Sequence, residues 1–375
     1  MSSPDLQFMV LALRLARRGY GRTSPNPMVG AVLVKGGKII GRGWHRRAGL
    51  PHAEIEALCD ARKRGHSPKG AALYVTLEPC STLGRTPPCT DAIIGAGIRK
   101  VIVGATDPNP RHAGRAFRIL RRAGIEVVPG ILADDCARLN EAFNHWIVHR
   151  TPFVVVKAAM TLDGKIATAD GESKWISGEK ARAWGMNLRQ GNDAVLVGIN
   201  TVLADDPSLT ARMKMEKRLR RIVLDSMART PLNAKVASDG HAPLTTIVAS
   251  PHAPRYRVAA LAKRVNVLVA PTTRSLPPAN RHPSIDLRWL MKKLGAQNIT
   301  SLLVEGGGEV NASFLLGGRA HRVAFFYAPK ILGGCDARKA VAGGGARSLA
   351  EAIRLADIKW RRLGPDLLLT ARVKS

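Results

Sequence analysis

Three short segments hold residues whose types and spacing could do chemistry: Pro51-His52-Ala53-Glu54, Glu78-Pro79-Cys80 and Pro87-Pro88-Cys89. An imidazole and two thiols are donors that zinc accepts, and three protein ligands leave one tetrahedral position for water. Zinc lowers the pKa of such a water to roughly 7. His52, Cys80 and Cys89 are therefore the candidate metal ligands. Glu54 lies two residues past His52, where it can reach what the metal binds without ligating it, and it is the candidate proton carrier. The chemistry open to this set is hydrolytic loss of an exocyclic amine from an amidine-like ring carbon. A lone His-x-Glu arises often by chance, and isolated cysteines are common core fillers. The three segments together are poorly explained that way. Cys59, Cys136 and Cys335 have no ligand-like neighbours and are expected to be structural.

These residues need elements to hold them. The pattern predicts a helix from His52 to about Arg64, a strand over Ala72 to Leu77 just before Cys80, and a helix start at Pro88. Thiolates near helix N-termini are favoured by the helix dipole. Upstream, Asp5 to Arg18 has helical periodicity. Val29 to Val34 and Ile39 to Trp44 read as a hairpin around Lys35-Gly36-Gly37-Lys38. Downstream come a strand at Lys100 to Gly104, a helix-strand unit from Phe117 to Val128, and one helix from Asp135 to His149. The alternation argues for an α/β layered fold.

A second β-rich run, Phe153 to Lys157, begins just after Thr151-Pro152, so domains of 1–150 and 151–375 are expected. Strands are predicted at Ala194 to Val197, Arg221 to Leu224, Leu244 to Val248, Val265 to Val269, Ser301 to Val304, Val323 to Tyr327 and Asp366 to Thr370. Met213 to Arg220 reads as a solvated charged segment and Pro271 to Pro283 as an exposed connection. Glu305 ends its strand, and Gly306-Gly307-Gly308 leads into a helix whose bare amides could hold a phosphate. By itself that triplet could be only a tight turn, and it is not the Rossmann fingerprint.

The bulk composition bounds the rest. With 45% hydrophobic and 23% charged residues and a mean hydropathy of -0.05, the 375-residue chain has the balance of a water-soluble protein with more than one core. No apolar run is long enough to cross a bilayer, and Phe8 to Ala16, interrupted by Arg14, does not read as a signal peptide. A cytoplasmic location is expected. Five scattered cysteines, an odd number, argue against a disulfide framework. The net charge of +30 would suit a nucleic-acid partner. It is spread over the whole chain, however: residues 1–150 carry 23 basic and 11 acidic groups, residues 151–375 carry 35 and 17. Aromatics, at 5%, are thin for base stacking.

The segments SPNPMVGAV, PHAEIEAL and TLEPCSTLGRTPPCTDAI resemble the bifunctional riboflavin-biosynthesis deaminase/reductase family, with eight residues between Cys80 and Cys89 where the usual deaminase signature has two. The family often has two histidines where this chain has Thr82-Leu83. The second half is similar to the family's reductase domain through KAAMTLDGKIAT, NTVLADDPSLTAR, VLDS, LVEGGGEVNASFL and APKILGG. The resemblance implies a cytidine-deaminase-like α/β/α sandwich followed by a dihydrofolate-reductase-like α/β domain, using Zn2+ and NADPH. It implies zinc deamination of a phosphoribosylamino-diaminopyrimidinone and then NADPH reduction of its ribose to a ribityl chain.

Residue by residue, the resemblance places Ala159, Trp175, Thr201, Asp205, Ser226 and the run Gly307, Gly308, Glu309, Val310, Asn311, Ala312 and Ser313 at the cofactor. It places Asn26 in the deaminase pocket and Ser173, Arg189, Leu209, Arg212 and Glu305 at the reductase substrate, with Lys157 in the same cleft. Ala159 stands where relatives can carry Gly. Arg189 and Arg212 suit a phosphate, since guanidinium forks match phosphoryl oxygens. Asp163, Asp206 and Asp225 read as turn or capping residues. The expected partner is a small phosphorylated pyrimidine. Neither nucleic acid nor membrane is expected, and a homo-oligomer is compatible with the sequence. Two rival readings remain: a nucleic-acid base deaminase with an unrelated C-terminal domain, and a regulatory protein with a vestigial zinc site.

Overall fold

The computed structural model describes residues 3–83, 87–110, 112–211, 218–273 and 284–374. The chain forms two compact units, Met1–Arg150 and Thr151–Ser375.

The first unit is built on five strands: β1 (Gly30–Lys35), β2 (Lys38–Trp44), β3 (Ala72–Leu77), β4 (Lys100–Ala105) and β5 (Glu126–Pro129), in the order β2-β1-β3-β4-β5. β1 is antiparallel to β2 and β3, and β3, β4 and β5 run parallel. Side chains alternate across a sheet, so the strands feed two cores. Leu33, Leu73, Val75 and Val101 pack with Ala57, Ile93 and Leu120 of helices Ala53–Lys63, Cys89–Gly95 and Arg115–Arg122. Val32, Tyr74 and Ile102 pack with Met9 and Ala12 of helix Ser3–Ala16 and with Cys136. This is the α/β/α sandwich.

One helix sits unusually close to the sheet. A Cβ on Gly43 would lie 2.2 Å from the Ala53 carbonyl oxygen, and one on Gly41 would lie 2.4 Å from that of Ala57. The facing helix residues Ala53, Ala57 and Ala61 are fully buried and small. Glycine on the strand and alanine on the helix bring the two backbones together, which sets the position of the helix that starts after His52.

The single helix expected over Asp135 to His149 is two, Ala133–Leu139 and Glu141–His149. Asn140 leaves helical geometry (φ -115°, ψ 24°) and is buried. Its side-chain amide clamps the backbone of Met28: Oδ1 accepts from Met28 N at 2.8 Å, and Nδ2 donates to Met28 O at 2.9 Å. Two tertiary hydrogen bonds outweigh one continuous helix here, and periodicity cannot foresee that.

The second unit carries a nine-stranded sheet. Its strands are β6 (Phe153–Thr161), β7 (Ala194–Gly198), β8 (Arg220–Leu224), β9 (Thr245–Ala249), β10 (Asn266–Val269), β11 (Ser301–Val304), β12 (Arg322–Ala328), β13 (Leu355–Leu363) and β14 (Asp366–Val373). The order is β10-β9-β8-β7-β11-β6-β12-β14-β13. The seven strands from β10 to β12 are parallel, and β14 and β13 close one edge antiparallel. Cores lie on both faces, as buried parallel strands require. β13 is absent from the sequence reading: its run LADIKWRRL is mostly exposed and lacks clean alternation. β6 runs four residues further than expected, so Lys157 lies mid-strand and not at the end. Of Met213 to Arg220, residues 213–217 lie outside the described residues, and Arg220 opens β8. Of Pro271 to Pro283, residues 274–283 lie outside them, and Thr272-Thr273 pairs with Ser284-Ile285. Among the described residues no helix is long and apolar enough to cross a membrane.

Substituting Gly43→Ala should destabilise the protein by roughly 1–3 kcal/mol through backbone overlap and lower the zinc retained after dialysis. Thermal melting and metal analysis of the purified protein check both. An unchanged melt would mean the helix can retreat freely.

Candidate functional site

In the first unit the chain brings together the three residues that the spacing singled out. His52 is the N-cap of its helix (φ -74°, ψ 166°), so its ring leaves the first turn. Cys80 follows β3 after Glu78-Pro79, and Cys89 is the first residue of its helix. His52 Nδ1 lies 3.5 Å from Cys80 Sγ and 3.3 Å from Cys89 Sγ, and the three ligand atoms all fall within 4.8 Å of one another. A tetrahedral zinc with bonds of about 2.0–2.3 Å sets its ligands about 3.5 Å apart. The donor set and its spacing fit that ion.

The electrostatics prepare the thiols. The hydrogen bond from Cys89 does most to lower the Cys80 thiol, to about 4, and His52 adds to it against the opposing effect of burial. The same bond pushes Cys89 up, and the hydrogen bond with Cys80 raises His52. The Cys89 amide also donates to Cys80 Sγ at 3.3 Å. Glu54 is 3% exposed, and burial raises its pKa. A carboxyl buried beside the ligand set is placed to pass a proton to and from a bound molecule.

Three buried polar residues that the sequence reading gave no role brace this site. The Glu78 carboxylate accepts from the amides of Asp107, Gly114 and Ala116 at 3.1, 2.9 and 3.0 Å, tying the loop after β4 to the Glu-Pro-Cys turn. His45 accepts at Nε2 from Asn26 Nδ2 at 3.2 Å and donates from Nδ1 to the Pro51 carbonyl at 3.1 Å. It thus links Asn26 to the turn that precedes His52. Burial lowers its pKa, in keeping with the neutral tautomer those bonds require. Asn140 holds Met28, two residues from Asn26. Glu78 was visible in its motif, but His45 and Asn140 have no sequence signal, because burial and not spacing makes them matter. Leu83 is 80% exposed, and residues 84–86 lie outside the described residues. Cys136 is buried, whereas Cys59 and Cys335 are exposed and contribute to no core.

The second unit gathers charge at the end of β11. Glu305 receives a bidentate Arg189 fork, with Nε to Oε1 at 2.8 Å and Nη2 to Oε2 at 3.0 Å, and Lys157 Nζ lies 3.8 Å from Oε2. Burial alone would raise the Glu305 carboxyl, but Arg189 and then Lys157 pull it down to about 2. Two cations around one carboxylate leave a net positive charge, suited to an anion. Arg189 also donates from Nη1 to the Thr210 carbonyl at 3.0 Å. Leu209 is buried at φ 51°. Ser173 Oγ donates to Asp205 at 3.4 Å. Arg212 lies outside the described residues.

The glycine triplet ends in helix Gly308–Leu315, with Gly307 as its N-cap. A Cβ on Gly307 would meet no heavy atom within 4 Å, whereas one on Gly308 would lie 2.3 Å from the Lys339 carbonyl. Bare backbone amides therefore stand at an open helix start, which fits the phosphates of a dinucleotide. Along this helix Glu309 and Ser313 are exposed and Val310 half-buried. Ala312 turns inward, as does Asn311, whose Nδ2 donates to the Ala340 carbonyl at 2.8 Å. Ala159 lies half-buried on β6, Thr201 lies on helix Ile199–Asp205, and the Ser226 carbonyl accepts from Ser250. Trp175 is 64% exposed, with the Arg182 guanidinium 4.6 Å from its ring centroid. The aspartates serve turns and caps: Asp163 accepts from Leu332 N and Gly333 N, Asp206 from Lys235 N, and Asp225 from Thr230 N.

Comparison with known proteins agrees over both units. Residues 2–105 match the cytidine and deoxycytidylate deaminase zinc-binding region, and residues 152–369 match the RibD C-terminal domain. Riboflavin biosynthesis protein RibD of Actinobacillus pleuropneumoniae is 43% identical, covering 97% of this chain and 94% of its own. That of Aquifex aeolicus is 44% identical, covering 97% of each. The solved RibD of Acinetobacter baumannii superposes with a TM-score of 0.85 at 35% identity, over 99% of both chains. A Thermotoga maritima structure described as a diaminohydroxyphosphoribosylaminopyrimidine deaminase/5-amino-6-(5-phosphoribosylamino)uracil reductase reaches 0.84 at 35% identity, again over 99% of both. The match over 152–369 accounts for the C-terminal domain that the nucleic-acid deaminase reading left unrelated. A zinc-binding deaminase region and an NADPH-dependent reductase domain on one chain, similar over nearly its whole length to proteins of one pathway, place it: the chain belongs to the RibD family of riboflavin-biosynthesis proteins.

Proposed function

We propose that the first unit deaminates 2,5-diamino-6-(5-phosphoribosylamino)pyrimidin-4(3H)-one and that the second reduces the resulting 5-amino-6-(5-phosphoribosylamino)uracil to its ribitylamino product. The observation that carries this is the His52, Cys80, Cys89 triad beside the buried Glu54, on a chain that also holds the Glu305 cluster. His52, Cys80 and Cys89 would hold the zinc, which when bound supplies the Lewis acidity that makes water nucleophilic at neutral pH. Glu54 carries one proton of the attacking water to the ring nitrogen, then carries the second, from the hydroxyl left on the ring carbon, to the amine, which departs as ammonia. Asn26, fixed by His45, is positioned to hydrogen-bond the pyrimidine.

NADPH when bound would supply the hydride that C1 of the open-chain, imine form of the sugar accepts, with a proton from solvent completing the amine. Gly307 and the first turn of helix Gly308–Leu315 offer amides to its phosphates, and Trp175, Thr201, Asp205 and Ser226 flank it. Arg189 and Lys157 orient the phosphorylated substrate, while Glu305 holds both cations in place. Arg212 belongs to the same proposal through the family resemblance alone. We also propose a cytoplasmic location, with no nucleic-acid or membrane partner.

A coupled assay that follows ammonia and NADPH oxidation separately tests the reading. Glu54→Ala should cut ammonia release at least 10²-fold, a general acid–base effect, and leave reduction of the deaminated intermediate measurable. Folded Glu54→Ala protein that had lost both activities would contradict two independent sites. Stripping zinc with a chelator should abolish ammonia release and spare reduction, and added zinc should restore it.

Glu305→Gln removes the carboxylate that orients the Arg189 fork and Lys157; the lost positioning should raise the KM for the aminouracil at least tenfold with deamination intact. The sign of the pH effect follows from the depressed carboxyl. Its contribution to stability is full above the unfolded value of about 4.3 and is lost as pH falls toward 2. Acid unfolding of wild type and Glu305→Gln should therefore differ by a constant amount above pH 5, and the difference should shrink below about pH 4.

A further inference from the structure

The loop from Asp205 to Ala211 carries two non-glycine residues in the left-handed region, Asp206 at φ 40° and Leu209 at φ 51°. Such residues persist only where their surroundings over-determine them. On one side the loop is held by Arg189, which donates to the Thr210 carbonyl at 3.0 Å and is paired with Glu305. On the other side stands Arg221 of β8, which is 1% exposed.

All five N–H donors of Arg221 find acceptors. Nε donates to Thr245 Oγ1 at 2.8 Å, Nη1 to the Ser208 carbonyl at 2.9 Å and to Asp239 Oδ2 at 2.7 Å, and Nη2 to Asp239 Oδ1 at 2.8 Å and the Val236 carbonyl at 3.2 Å. A buried guanidinium is costly unless every donor is satisfied, so its geometry is set by the short helix Lys235–Ser238 and Asp239 behind it. That same helix reaches the loop directly: the Lys235 amide donates to Asp206 Oδ1 at 2.8 Å and Lys235 Nζ to the Asp206 carbonyl at 3.1 Å. The loop is thus gripped at the carbonyls of residues 206, 208 and 210. In the chain Leu209 lies between the two carbonyls that Arg221 and Arg189 hold, and it belongs to the same core cluster as Val195 and Val202.

We propose that Arg221 is a positioning residue of the reductase: by holding the Ser208 carbonyl it presents the loop from Asp205 to Thr210 to the phosphorylated pyrimidine that Arg189 and Glu305 receive. This rests on the function proposed above. Arg221 touches no substrate itself; it acts through Ser208 and Leu209.

The test compares Arg221→Met and Arg221→Lys in the full chain. In folded Arg221→Met, the KM for 5-amino-6-(5-phosphoribosylamino)uracil should rise at least tenfold, with ammonia release within twofold of wild type. Arg221→Lys should recover part of the loss, because its ammonium keeps the charge and three donors but not the planar fork. Hydrogen exchange of the 205–211 segment should accelerate in Arg221→Met and respond less in Arg221→Lys. A folded Arg221→Met protein with unchanged KM and unchanged exchange overturns the proposal, whatever its melting temperature. Should Arg221→Met fail to fold, Lys235→Ala, which removes the exposed hydrogen bond and ion pair of Lys235 Nζ with Asp206, should raise the same KM about threefold, and no change there overturns it equally. A wild type that reduced none of this substrate would sink the proposed function, and the exchange data would still decide whether Arg221 holds the loop.

Discussion

The backbone of helix Ala53–Lys63 rests directly on β2, and the first unit's chemistry depends on that contact. Gly41 and Gly43 remove the side chains that would otherwise separate the two, and Ala53, Ala57 and Ala61 make the opposite surface equally thin. The helix start is thereby fixed relative to the sheet. His52 and Glu54 ride on that start, while Cys80 comes off the end of β3 and Cys89 opens a separate helix. A site assembled from three elements needs them placed to within a fraction of an ångström. Small residues achieve this because they leave no rotamers to adjust.

Around that frame, the buried polar groups serve as braces. Glu78, His45 and Asn140 each join two segments that hydrophobic packing would leave loosely related. Each satisfies its hydrogen bonds with backbone or side-chain partners, which is the condition under which polar groups can be buried at little cost. The second unit uses the same principle with full charges. Glu305 is stabilised as an anion only because Arg189 and Lys157 surround it, and Arg189 in turn fixes Thr210. One electrostatic cluster therefore orients side chains and backbone together.

Much of this was legible from residue order, and where it failed the reason is physical. The strands of the parallel sheet were visible because a strand buried on both faces must be largely apolar, as Ala194–Gly198 is and as Leu302, Leu303 and Val304 of β11 are. β13 escaped because a strand at the sheet's edge is free to carry Lys359, Arg361 and Arg362. The break at Asn140 escaped because its cause, the backbone of Met28, is more than a hundred residues away in the chain.

Sequence by itself determined the candidate metal triad, the candidate proton carrier and the α/β class, since those follow from residue types at short spacing and from periodicity. The family's motifs added the reductase. Tertiary structure alone decided which polar residues support the site. It showed that Arg189 is bound to Glu305 and not free, that Asn311 and Ala312 turn into the core, and that Arg221 braces a loop preceding it in the chain. A hydrogen bond between distant segments leaves no period in the sequence. It exists only once the chain has folded and removed water from both partners.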